Sequence, residues 1–153
     1  EGKMRRYFVH TVLGILLLAV IGTQMLTSPI VGTPVGVSVE IKPETFNLKR
    51  RGIVTVYIEF LNSSYDVSDI ACESIRLRVE SASDWVEPLR CVVEDGKLIV
   101  GFDAVSVNNH ILSKLVHMQI PSPKAKYPID LVVEGTVEGE YFKGSDTIQV
   151  MLP

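Results

Sequence analysis

The groups in this 153-residue chain that could carry chemistry are few: three histidines, two cysteines and some paired carboxylates. His110 and His117 stand seven residues apart, so a helix puts both on one side. A helical metal pair uses a spacing of four, as in His-Glu-x-x-His. The pair therefore needs a ligand from elsewhere, and a surface role is the simpler reading. His10 lies in an apolar N-terminal stretch. Glu94 and Asp95 adjoin Gly96, and a distant aspartate such as Asp103 could join them. Calcium takes six to eight oxygens, so these three make at most a weak site, and no metal is assigned. Glu138 and Glu140 flank Gly139 and read as a solvated hairpin tip rather than a glycosidase acid and base. Ser145-Asp146 has no evident histidine to complete a triad. No Gly-x-Ser-x-Gly elbow occurs, and Val133-Glu134-Gly135-Thr136 lacks the lysine of a phosphate loop. No catalytic residue, cofactor or enzymatic activity is expected.

Two further positions carry covalent chemistry. Cys72 and Cys91 form an even count, which outside the cell reads as a disulfide. Two separate buried thiols, or a metal pair, are the alternatives. Asn62-Ser63-Ser64 matches the N-glycosylation sequon, a short pattern that also arises by chance.

Whether that chemistry is available depends on where the chain resides. Phe8 to Leu26 is apolar almost throughout, and Arg5 and Arg6 stand just before it. A bilayer core is crossed by about 20 apolar residues. The same stretch, with its basic flank, also fits a secretory signal. Small residues for cleavage fit only loosely, at Val20 with Gly22 or Ile30 with Gly32. Either way Lys3, Arg5 and Arg6 favour the cytoplasmic side and the rest is exported. A buried core helix is the third reading, disfavoured because no polar face is present.

With Lys3, Arg5, Arg6 and Glu1 set aside, 12 basic and 17 acidic residues remain, a balance of −5. Nucleic-acid surfaces want basic clusters, so no nucleic-acid partner is expected. Lys49-Arg50-Arg51 beside Gly52 reads as a charged turn.

The elements that must position these residues follow from periodicity. Residues 27–36 hold two prolines and two glycines and read as a linker. Val37, Val39 and Ile41 alternate with polar residues, the period of a half-buried strand. Phe46 and Leu48 then tuck inward. Ile53 to Leu61 is the strongest strand signal, with Val54, Val56, Ile58 and Phe60 on one face. Ile75, Leu77 and Val79 face in from the next strand. Trp85 and Val86 are expected to cap one end of the core. Arg90 to Glu94 and Lys97 to Phe102 flank Asp95-Gly96, a strong hairpin signal.

Asp103 can cap a helix bearing Val105, Val107, Ile111, Leu112, Leu115 and Val116. Pro121, Pro123 and Pro128 frame a loop. Ile129 to Val137 is a strand, with a short return over Glu140 to Lys143. A break at Gly144-Ser145-Asp146 and a closing strand over Thr147 to Leu152 complete the pattern. The expected class is all-β: an Ig-like or cohesin-like antiparallel β-sandwich of about eight strands with one short helix. An N-terminal hydrophobic helix precedes it. The divisions are 1–26, signal peptide or membrane or filament-core helix; 27–36, linker; and 37–153, sandwich.

VEIKPETFNLKRRGIVTVYIEF, YDVSDIACESIRL, KLIVGFD and EGTVEGEYFKGSDTIQVMLP occur here in an order that resembles a largely uncharacterised prokaryotic family of exported β-sandwich domains. That family is frequent in archaea and thermophiles, with an NLKSKG-x-ITVYI segment and a closing F-x-GSDTI strand. The likeness covers roughly Val37 to Pro153, and Phe142-x-Gly144-Ser145-Asp146-Thr147-Ile148 is its most specific part. Many members carry a D-x-D-G-D-G run where this chain has Glu94-Asp95-Gly96-Lys97, so no calcium site is carried over. The resemblance implies a small secreted protein or a module of a larger surface protein. The residues lead to the same expectation: a non-catalytic extracellular structural or binding module. The alternative is a filament or pilus subunit, assembled through the N-terminal helix or by giving residues 27–41 as a strand to a neighbour. Expected partners are the membrane, through residues 8–26 if these are retained, and other copies of the chain.

Overall fold

The computed structural model describes residues 33–62, 64–118 and 126–152. They fall in one compact unit, Gly32–Pro153. The expected N-terminal helix, most of the linker, and Pro121, Pro123 and Lys124 lie outside the described residues. Among the described residues, no helix is long and apolar enough to cross a membrane.

The described chain is all-β with one α-helix. The strands are β1 (Val35–Lys42), β2 (Thr45–Asn47), β3 (Ile53–Phe60), β4 (Arg76–Val79), β5 (Arg90–Glu94), β6 (Lys97–Asp103), β7 (Lys126–Val137) and β8 (Glu140–Met151). Helix α1 (Ala104–His117) joins β6 towards β7. All the strands belong to one curled eight-stranded sheet, in the order β4-β7-β8-β1-β3-β6-β5, with β2 placed beside β8. Most neighbours are antiparallel, but β1 and β2 both meet β8 in parallel. Val35 and Gly36 pair with Phe142 and Lys143 of β8, while the rest of β1 pairs with β3. β1 is thus the hinge between two halves of the sheet.

Alternation places the core where it is expected. Val37 and Ile41 of β1, Val54, Val56 and Ile58 of β3, and Ile75, Leu77 and Val79 around β4 are all buried. Leu98, Val100 and Phe102 come in from β6, and Ile129, Leu131 and Val133 from β7. Residues of both halves form one hydrophobic cluster. Phe46 is fully buried, which explains why a strand as short as β2 holds its place; Leu48 packs at the margin. Asp95 and Gly96 both have positive φ, as do Glu138 and Gly139. That is the mirror-image two-residue turn that matches strand twist.

Helix α1 begins as expected: the Asp103 carboxylate accepts from the Ser106 backbone at 2.9 Å. Its inner stripe is Ala104, Val107, Ile111 and Leu115. Asn108 is buried in the same stripe, and its Nδ2 donates to the Arg50 carbonyl at 2.9 Å. Val105, Leu112 and Val116, the other apolar residues of the helix, are exposed. At 100° per residue they form a separate stripe that the sheet does not reach.

Four expectations are corrected. β1 starts at Val35, inside the expected linker, because β8 supplies partners for Val35 and Gly36. The break at Gly144-Ser145-Asp146 does not exist: β8 runs unbroken from Glu140 to Met151 against the whole of β7. Pro128 lies within β7, not in a loop. It is tolerated because β4 pairs with Leu131 to Glu134 and, among the described residues, no strand pairs with that flank of β7 at Pro128. Finally, Trp85 does not cap the core. It is exposed, whereas Val86 is buried and bridges Leu77 of β4.

Candidate functional site

Three places gather side chains with polar or covalent chemistry: the β1–β8 seam, the cysteine pair, and a groove beside α1. The seam explains the F-x-GSDTI stretch residue by residue. Phe142 is fully buried and its ring lies over Gly135, its cross-strand partner. Gly144 faces β1, and a Cβ there would collide with the side chains of Val37 and Val39. Between the two short parallel contacts that β8 makes with β1 and β2, direct pairing is interrupted. Asp146 fills that interval: its Oδ2 accepts from the Ile41 backbone at 2.7 Å. Ile41 is fully buried, so its N–H has no water to turn to. On the other face Thr147 Oγ1 donates to Asp130 Oδ1, its neighbour across the ladder. Ile148 returns to the core. The stretch holds the two halves of the sheet together, with the Asp146 carboxylate engaged by the Ile41 and Thr147 backbones.

Cys72 and Cys91 are joined as a disulfide, their Cα atoms 6.1 Å apart. Cys72 opens a short 3-10 turn, Cys72–Ser74, which lies against β7. Ser74 Oγ accepts from the Thr136 backbone of β7 at 2.9 Å. Cys91 sits on β5, at the far end of the strand order. The bond therefore ties the β7 side of the sheet to the opposite edge.

The groove runs between α1 and the loop that follows β4. Ser81, which has positive φ, with Ser83 and Asp84 forms one wall, and His110, Ser113 and His117 form the other. It is open, with a volume of about 530 Å³. Lys114 reaches back across it to the Glu80 carbonyl at 3.3 Å. The two histidines share one side of the helix as their spacing requires, and Asp84 is the carboxylate on the lining. Hydroxyls, imidazoles and one carboxylate offer hydrogen bonds to a polar ligand. Among the described residues, no group of three or more His, Cys, Asp or Glu is placed to hold a metal.

The weak cation site is dismantled by the geometry. Glu94 and Asp95 lie at one end of β6 and Asp103 at the other. Seven strand residues separate them by about 20 Å. The Asp103 carboxylate is moreover committed to the helix. Hydrogen bonds from the Ser106 backbone and then its hydroxyl hold it below the ordinary carboxylate range. The Ser68 backbone and hydroxyl do the same for Asp66, which caps a short turn at Val67–Asp69.

Glu138 and Glu140 are exposed at the β7–β8 tip, as read from the sequence. Nearby, Tyr141 donates to Glu134 at 2.8 Å. Partial burial, and then this carboxylate acceptor, push its phenol above the ordinary value. Asn62 is exposed in the loop after β3, and its Oδ1 accepts from the Ser64 backbone at 3.2 Å. The middle residue of the sequon lies outside the described residues.

Sequence reasoning missed the seam. Its one signal was Gly-Ser-Asp, which has the composition of a turn but marks a close approach of backbones here. No protein-family model, curated protein or solved structure matches this chain.

Proposed function

We propose that this chain is a non-catalytic module of the cell exterior, an Ig-like or cohesin-like β-sandwich that serves a structural or binding role in the envelope. It belongs with the exported domains whose closing strand it resembles. The observation that carries the reading is the Cys72–Cys91 disulfide. Such bonds persist in oxidising compartments and are rare in the cytosol. Placed between distant parts of the sheet, it stiffens a domain that must survive without chaperones. The basic flank and apolar run of residues 3–26 supply the export route. Asn62 is exposed and open to glycosylation.

The test is the mass of the protein isolated from its natural source, alkylated without reductant. The expected mass carries no alkyl groups and lacks two hydrogens. Alkylation of both cysteines would contradict the reading.

The filament alternative divides into two routes. Donating residues 27–41 to a neighbour means opening the donor's own sheet, because β1 is paired with β8 and β3. Assembly through the N-terminal helix carries no such cost, and negative-stain images of concentrated natural material test it.

A further inference from the structure

We propose that β5 is a self-pairing edge, through which two copies of this chain join antiparallel about a two-fold axis at Val92. This goes beyond the proposed function and is independent of where the protein resides, so its failure leaves that reading intact.

The two ends of the strand order are not alike. β4 is covered on its outer side: Leu77 and Val86 exchange backbone hydrogen bonds at 3.0 and 2.7 Å. Among the described residues, β5 pairs with β6 alone and ends the sheet. An unpaired edge is usually blunted by lysine, proline or inward charge. β5 has neither lysine nor proline, and Leu89, Val92 and Val93 are 61%, 51% and 48% exposed.

The strand reads as its own complement. Its sequence is Arg90-Cys91-Val92-Val93-Glu94. Turned antiparallel on itself about Val92, it sets Arg90 opposite Glu94 of the second copy, twice over. Neither side chain has an ion pair within the described residues, so both are available. Val92 meets Val92 of the second copy on the axis.

The backbone parity agrees. Glu94 and Lys97 flank a two-residue turn, which makes them a hydrogen-bonded pair. By alternation Glu94, Val92 and Arg90 turn their N–H and C=O groups towards β6. Cys91 and Val93 turn theirs outward. In the proposed register Cys91 lies opposite Val93 of the second copy, so outward groups meet outward groups on both sides of the axis. A slip of one residue would lose this match together with the charge pairs. The disulfide at Cys91 holds the middle of the strand in place. Because the axis is two-fold, the contact closes as a dimer and does not propagate.

A five-residue seam is small, so the dimer is expected in the micromolar to millimolar range. Sedimentation of the full-length chain in mild non-ionic detergent tests it, over a concentration series. The proteins compared are the natural chain, Arg90→Glu, Glu94→Arg and the double reversal. Each single reversal turns both attractive pairs into repulsive ones and is expected to weaken the dimer roughly tenfold. The double reversal restores the pairing with signs exchanged, which a merely misfolded variant would not do. Amide exchange at Cys91 and Val93 should slow as concentration rises, while that at Val92 should not change. A monomer at every concentration overturns the proposal. So does association indifferent to all three variants, which would place the contact elsewhere, in Phe8 to Leu26 first.

Discussion

At the scale of single residues, two aspartates show how one carboxylate can decide a local structure. Asp146 is a strand residue whose side chain completes a ladder that the backbone leaves unfinished. Replacing it with alanine strands the buried Ile41 N–H, at a cost of about 1–3 kcal/mol. Asp146→Asn keeps an acceptor and should recover most of that loss; urea midpoints of the two variants check the difference. Asp103 works at a helix start, where its carboxylate takes the Ser106 N–H. Asp103→Ala should lower the melting temperature by a few degrees, and Asp103→Ser much less. Its pH dependence has a definite sign. The folded-state pKa is depressed, so the contribution is present above the unfolded value of about 4 and is lost as pH falls through the lower folded value. In a series of melts below pH 5 the natural protein should lose stability faster than Asp103→Ser. Parallel curves would remove Asp103 from the acid response.

Elements were legible wherever one face of a strand or helix is buried against the core. The alternation in β3 and β4, the Asp95-Gly96 hairpin and the capped helix all follow from local pattern. What escaped was non-local. Gly144 and Asp146 look like turn residues, yet their reasons for being there are Val37, Val39 and Ile41, about a hundred positions earlier in the chain. Pro128 looks like a loop residue because nothing in the sequence tells that β4 stops short of it. Trp85 and Val86 read alike as caps of the core, whereas only Val86 is buried, and it pairs with Leu77. This last correction has a measurable consequence. Val86→Ala should cost roughly 1–3 kcal/mol, and Trp85→Ala should stay within about 0.5 kcal/mol. Equilibrium denaturation of both variants decides it, and the reverse order would contradict the placement.

For the whole molecule, the all-β class was legible, since patterning operates without knowledge of contacts, and the even cysteine count pointed to the bond between Cys72 and Cys91. The parallel seam and the single curled sheet were hidden, because both depend on which strands meet. The molecule is held at two places that local pattern does not specify: the seam between β1 and β8, and the disulfide between the β7 side and β5. Closing a loop of 19 residues stabilises by roughly 3 kcal/mol in the loop-entropy model. Reduction should therefore lower the urea midpoint by a corresponding amount while the far-ultraviolet spectrum of the folded state persists. A reduced protein as stable as the oxidised one would make the bond incidental. The central claim is that this all-β unit works outside the membrane. Its most direct measurement is protease shaving of intact natural cells with an impermeant enzyme, followed by identification of released peptides. The account predicts peptides from residues 33–152 before lysis, with Cys72 and Cys91 still joined; peptides released only after lysis would contradict it.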